Sequence, residues 1–257
     1  MTPSFFKMAE FFQYGHPGTF QLMKLATRIV YIPCVKEKCQ QICRQCIICL
    51  RSKPQHALRP SAIARKDYPE TPFSKTAIDI YDLGAKDAKG KRYIITCIDH
   101  LTSFFDGVPL SNKTDALISE ALMTLILRHG ITGQIHSDNG AEFGPLTKAL
   151  FKRFSIFHTK TAAYNSRGNG QLERIHREIT SKLKILETKR KNWSSNFEFT
   201  KFLINNLPKS CNDGLSATEC LYGRSLFLPL ADIKHQQPCT TDAPYVKALS
   251  EYINDLH

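Results

Sequence analysis

Between Ser74 and Leu110 the chain runs in three short β-branched stretches, and beyond Thr114 its apolar residues switch to helical spacing. Ser74 to Tyr81 and Arg92 to Asp99 read as strands, separated by a charged turn, Ala85 to Lys91, that contains Gly90. Thr102 to Leu110 makes a third strand. From Thr114 to Arg128, the residues Leu117, Ile118, Ala121, Leu122, Leu125 and Ile126 recur at three- and four-residue steps, and Gly130 ends the helix they predict. Thr132 to Ser137 reads as a short strand, Gly144 to Phe154 as a helix, and Ser155 to Thr159 as a strand. A long basic helix is expected over Gly170 to Lys189, followed by helices over Trp193 to Leu207 and Ser216 to Tyr222. The last opens with a capping box, Ser216-Ala217-Thr218-Glu219. Three strands followed by helix, strand, helix, strand, helix predict an α/β fold, a mixed sheet flanked by helices.

Ahead of this core the pattern changes. Residues 1–52 hold His16 and five of the nine cysteines, crowded between Cys34 and Cys49. Residues 53–72 are basic, proline-bearing and poor in large apolar side chains, the composition of a linker. The core is read over residues 73–225. Residues 226–257 form a C-terminal extension whose Pro244 to Leu256 stretch reads as a short helix. The start, Met1 to Gly15, lacks the basic end, apolar middle and cleavage site of a secretion signal. No apolar run approaches the roughly 18 residues needed to span a bilayer, so an intracellular protein without a membrane partner is expected. In that setting the cysteine crowding argues for metal over disulfides. A formal charge of +12 and a pI near 9.3 favour polyanionic partners, nucleic acid above all.

Three acidic residues stand where chemistry would want them. Asp79 lies inside an apolar strand between Ile78 and Ile80, where a carboxylate is costly to bury without a cation or strong donor. Asp138 follows a strand and opens the turn Ser137-Asp138-Asn139-Gly140, at the strand end where α/β sheets hold ligands. Glu173 sits in the first turn of the long helix, where the helix dipole also favours it.

Together these positions lie in stretches that resemble the catalytic core of retroviral and gypsy-like retrotransposon integrases. The resemblance rests on Ser137 to Phe143 (SDNGAEF), Tyr164 to Arg174 (YNSRGNGQLER), Thr76 to Ile80 (TAIDI), Gly90 to Tyr93 (GKRY) and Cys97 to Ser103 (CIDHLTS). It implies a ribonuclease-H-like core, with Asp79, Asp138 and Glu173 as the catalytic triad and as ligands for two Mg²⁺ or Mn²⁺ ions. Hard cations take such oxygen ligands, and a pair of ions clamps a scissile phosphate. The implied activity is 3′-end trimming of DNA followed by strand transfer. The chain departs from the family in two ways. The interval between Asp138 and Glu173 is one residue shorter than is common, and Tyr164-Asn165-Ser166 stands where the family usually has Tyr-His-Pro. Both changes are placed in the loop before the helix, since GNGQLERIHREI is intact.

On a helix, Glu173, His176, Arg177, Thr180 and Lys184 share one face. The resemblance makes that face a grip on DNA, with His176, Arg177 and Lys184 as contacts and Lys160 and Arg167 as further phosphate candidates. It also makes residues 1–52 a small helical zinc-finger-like module with His16, Cys46 and Cys49 as zinc ligands. The family's first histidine lies a few residues before the second, but Met8 to Tyr14 here reads MAEFFQY. The module is incomplete as written: Glu10, Cys39 or Cys43 supplies the fourth ligand, or the finger has decayed. The chain is expected to begin within the zinc module and to stop short of the small β-barrel that family members often carry. Double-stranded DNA, a homo-oligomer and a nuclear location follow from the resemblance. The alternative is a catalytically silent domesticated DNA-binding or scaffolding protein on the same fold.

Overall fold

The computed structural model describes residues 12, 15–28, 31, 33–52, 69–131, 133–138, 140, 142–160, 170–186 and 192–224. Its elements run α1 (Thr19–Thr27), α2 (Val35–Gln45), α3 (Ile47–Ser52), β1 (Lys75–Asp82), β2 (Tyr93–Asp99), β3 (Phe105–Leu110), α4 (Asp115–His129) and β4 (Gln134–Ser137). After these come α5 (Pro145–Arg153), β5 (Phe157–Lys160), α6 (Gly170–Leu186), α7 (Trp193–Asn206), a 3₁₀ turn (Ser210–Asn212) and α8 (Ala217–Tyr222). Among the described residues no helix is long and apolar enough to cross a membrane.

The five strands form one mixed sheet in the order β3-β2-β1-β4-β5. β1 pairs antiparallel with β2 and parallel with β4, which in turn pairs parallel with β5. β2 is nearly continuous apolar chain and is buried along its length after Tyr93, as a strand covered on both faces must be. The expected mixed sheet flanked by helices is therefore present, preceded in the chain by a small helical N-terminal module.

The differences from the sequence reading lie at the ends of elements. The third strand starts at Phe105 because the buried Asp99 takes the preceding residues into a turn. Its carboxylate accepts from the Phe73 and Thr102 N–H groups and from the Thr102 hydroxyl, and Ser103 adopts φ 58°. β5 starts at Phe157 because Ser155 is left-handed, at φ 54°. α4 keeps its expected limits, with Thr114 as N-cap and Gly130 left-handed as C-cap. α8 keeps its capping box, in which Glu219 N–H reaches the Ser216 hydroxyl.

Two compact units emerge from the packing. One gathers the described residues of 1–62, 184–188 and 202–257; the other gathers those of 63–183 and 189–201. The first is built on Phe12, Leu22, Ala26, Cys39 and Cys49, packed together and covered by Met23, Val35, Ile42, Cys43 and Cys46. In the same unit Arg28 forms an ion pair with Glu219 at 2.7 Å and donates to the Gly214 carbonyl. Leu203 lies against Gly15, where a Cβ would come within 2.8 Å of its side chain; Gly15 also has φ +80°. The C-terminal helical residues 202–224 thus share a unit with the cysteine-bearing helices. The linker from residue 53 to 68 and the extension 226–257 lie outside the described residues.

Candidate functional site

β1 and β4 bring the first two carboxylates together. Their parallel register pairs Ala77 with His136, so two residues further on Asp79, midway along β1, stands beside Asp138, the residue just past the carboxyl end of β4. This is the place in the sheet where the pairing changes from antiparallel to parallel, and where such sheets hold ligands. Asp79 lies opposite Thr96 on the other neighbour, β2. Burial is the largest influence on the Asp79 carboxyl and raises it. The Ile80 N–H it accepts and nearby Lys113 pull it down, while the like charges of Asp138 and Glu142 push it up. The net result lies above the ordinary carboxylate range.

The loop after β4 is shaped by its acidic groups. Asp138 accepts from the Gly140 N–H at 3.0 Å. The Glu142 carboxylate lies so near that a Cβ on Gly140 would meet it at 2.4 Å. Lys113 reaches Glu142 at 4.0 Å and lies over the Tyr93 ring. The far end of the loop is pinned by Asp115, which accepts from the Gly144, Leu146 and Thr147 N–H groups at the start of α5.

The third carboxylate belongs to α6. Leu172, Ile175, Ile179 and Leu183 are its buried stripe, and Glu173 is exposed in its first turn. One turn further on, His176 stacks flat on Tyr81, with ring centroids 4.3 Å apart. Its Nε2 meets the Thr96 hydroxyl at 3.0 Å and its Nδ1 lies 4.0 Å from Asp79. Thr180, another turn on, is hydrogen-bonded to the Tyr81 hydroxyl. α6 is therefore moored to β1, and residues three apart on a helix are neighbours, so Glu173 belongs to the end of the helix that meets Asp79.

This mooring corrects the single charged face read from sequence. His176 and Thr180 turn inward, because stacking on Tyr81 buries the imidazole. Burial pushes the His176 imidazole down to about 4, so at neutral pH it is uncharged and offers no cation to a phosphate. Arg177 and Lys184 are exposed. Lys160, also exposed, pairs in register with Ser137 on β4, next to Asp138. Arg167 lies outside the described residues. Glu142 and Lys113 were missed by the sequence reading. Glu142 stood inside the SDNGAEF motif, but Lys113 carries no local signal.

The N-terminal module holds a second site. His16 Nδ1 lies 3.2 Å from Cys46 Sγ and 3.5 Å from Cys49 Sγ, and all three donor atoms lie within 4.8 Å of one another. Zinc bonds of about 2.3 Å to sulfur and 2.0–2.1 Å to nitrogen, at a tetrahedral angle, separate the two donors by roughly 3.5 Å. The geometry fits zinc. The Cys49 N–H also donates to Cys46 Sγ at 3.4 Å. Among the described residues this is the group that could hold a metal; the three carboxylates are not drawn together as closely. Of the fourth-ligand candidates, Cys39 is fully buried, and burial with the Cys43 charge pushes its thiol up to about 11. Glu10 lies outside the described residues.

A His/Cys metal module joined to a mixed-sheet core with carboxylates at its parallel switch point defines the class: a zinc-binding module with a ribonuclease-H-like core. Comparison with known proteins adds what the chain is similar to. Residues 8–55 match the model of the integrase zinc binding domain. The chain is similar to the Gag-Pol polyprotein of gibbon ape leukemia virus, 25% identical over 216 residues, and to that of koala retrovirus, 27% over 221 residues. Each match covers 82% of this chain and 12% of the relative. It is similar also to the retrovirus-related Pol polyprotein from transposon 412 of Drosophila melanogaster, 24% identical over 221 residues, covering 84% of this chain and 18% of the relative. The chain thus spans less than a fifth of the length of these relatives, and the zinc-binding-domain match together with these similarities supports a retroviral or retrotransposon integrase.

Proposed function

We propose that this chain trims and joins DNA ends, with Asp79, Asp138 and Glu173 as its catalytic carboxylates. The observation that carries the reading is the β1–β4 register, which sets Asp79 beside Asp138 just past the end of β4. The donor set consists of carboxylate oxygens, and Asp79 is held above its ordinary range by burial and like charge. Such a set suits two hard divalent cations, Mg²⁺ or Mn²⁺. When bound, these ions neutralise the phosphate and activate the attacking and leaving oxygens.

The chain's own residues do the positioning. Tyr81, Thr96, His176 and Thr180 fix α6 on β1, which sets where Glu173 stands relative to Asp79. Asp115 holds the end of the Asp138 loop. Exposed Arg177, Lys184 and Lys160 bind DNA through its phosphates, contacts that position without reading sequence. Nothing in this scheme requires a protein nucleophile. The same reading implies double-stranded DNA as partner and substrate, a homo-oligomer, and the nucleus as its location.

The test is strand transfer by the purified chain on a short duplex with Mn²⁺ or Mg²⁺. The parent is expected to join ends, and Glu173→Gln to lose joining while still binding DNA. One observation favours the second reading, a silent DNA-binding scaffold: the carboxylates are less closely gathered than His16, Cys46 and Cys49. DNA binding without joining in the parent, with both metals, would establish that alternative.

A further inference from the structure

We propose that Cys43 is the fourth zinc ligand of the N-terminal module, completing a one-histidine, three-cysteine site with His16, Cys46 and Cys49. A structural zinc needs four ligands, and three are already gathered. One helical turn before His16, on the side where the family resemblance leads one to expect a histidine, stands Phe12. The His16 N–H bonds to the Phe12 carbonyl at 3.0 Å. The Phe12 ring meets the imidazole edge-on, with centroids 4.8 Å apart, and is buried. Among the described residues, that side of the site presents a hydrocarbon ring with no donor atom, and the missing ligand comes from elsewhere.

α2 supplies it. Cys43 precedes Cys46 by three residues, one helical turn and a rise of about 4.5 Å, and it packs on the same cluster as Cys46 and Cys49. Its sulfur already points toward the histidine side, donating to the Pro17 carbonyl at 3.6 Å, and Pro17 directly follows His16. Its sulfur does not lie within 4.8 Å of all three other donor atoms, so binding metal requires it to turn away from that carbonyl. Cys39 lies a full turn further back, about 10.5 Å of rise from Cys46, with its side chain wholly enclosed. Met23, the remaining sulfur in the cluster, is a thioether, a group that zinc sites do not use. On binding, Cys43 releases its proton to water and the thiolate takes the fourth position, so affinity rises with pH. This inference concerns the module alone and stands whether or not the core joins DNA.

The experiment uses the full chain, with zinc affinity measured by competition with a chromophoric chelator and thiolate count read from the sulfur-to-metal absorption of the Co²⁺-loaded protein. The parent is expected to bind one zinc tightly and to give a tetrahedral, three-thiolate cobalt spectrum. Cys43→Ser should weaken zinc by at least about tenfold and cut the thiolate band by about a third, while Cys39→Ala leaves both within about twofold. Phe12→His combined with Cys43→Ser should regain tight zinc with a two-thiolate spectrum. A two-thiolate spectrum in the parent, an unchanged affinity in Cys43→Ser, or a loss that Phe12→His fails to recover each overturns the assignment.

Discussion

In the N-terminal module, one imidazole and two sulfurs lie within 4.8 Å of one another. At the sheet, Asp79 and Asp138 stand side by side, with Glu142 adding a third charge and Glu173 exposed on the neighbouring helix. The contrast comes from what each ligand costs to bury. Cys46 and Cys49 pack with Phe12 and Leu22 as ordinary core and His16 meets the Phe12 ring edge-on, so packing alone assembles most of a zinc site. Carboxylates repel, and each raises its neighbour's proton affinity. They can be aimed by strand register and helix mooring, but packing alone does not gather them.

The largest expected effect follows from that difference. Zinc and folding are coupled in small modules, where the metal contributes on the order of 10–16 kcal/mol. A strong chelator should therefore open the module to protease. It should also open residues 202–224, because Arg28 is tied to Glu219 and Gly214, and Leu203 to Gly15. The strands of the sheet should stay protected. Limited proteolysis with mass mapping, with and without chelator, reads all three regions. Protection of residues 202–224 after residues 16–52 are cut would show that the unit does not melt as one.

Next come two aspartates of the same sheet. Asp79→Asn should reduce joining at least about a thousandfold, since one ligand of a cooperating set is neutralised. Its melting temperature should rise modestly. The folded-state carboxyl lies above its unfolded value, so the charged form is penalised in the fold at neutral pH, and the amide removes that penalty. Asp106 is the converse. Burial alone would raise its carboxyl, but His129, Lys201 and the Gly107 N–H hold it well below the ordinary range. A depressed carboxyl contributes stability that is present above the unfolded value, near 4, and is lost as pH falls below it. Asp106→Asn should therefore cost about 3 kcal/mol at neutral pH, by removing the buried partner of Lys201 and leaving it only the exposed Glu198, and should flatten the loss of stability below pH 4. Urea unfolding across pH checks both signs; destabilisation by Asp79→Asn would break the contrast.

Much of this was legible in the sequence because the signals were local. The apolar steps from Leu117 to Ile126 and the caps Thr114, Gly130 and Ser216 set helices where a single face and a turn residue decide. Asp79 and Asp138 were visible as charges at strand positions. What stayed hidden depended on partners distant in the chain. A helical wheel groups His176 with Arg177, but Tyr81 on β1 decides that the histidine turns inward. Asp87, Asp99 and Asp115 each accept N–H groups that close a turn or start a helix, and nothing beside them in the chain announces it. Nor does anything near Lys113 announce that it reaches the Glu142 loop.

The smallest effect tests whether the outward side of α6 is an extension of the carboxylate site or an ordinary solvated surface. Arg177 and Lys184 are exposed, and Arg177 spends its Nε–H on the Glu173 carbonyl at 3.3 Å, leaving the rest of the guanidinium outward. If each meets one phosphate, neutralising it releases about one counterion, and the log–log dependence of duplex affinity on salt flattens by up to about one unit per residue removed. Arg177→Ala and Lys184→Ala should each show that change, with little effect on melting, since neither is buried. His176→Ala should leave the slope unchanged, because its imidazole is neutral and stacked on Tyr81, and should lower the melting temperature instead. Fluorescence anisotropy on a labelled duplex at several salt concentrations separates the three. A flattened slope in His176→Ala, or none in the two basic variants, would mean that charge on this helix does not act as its exposure suggests.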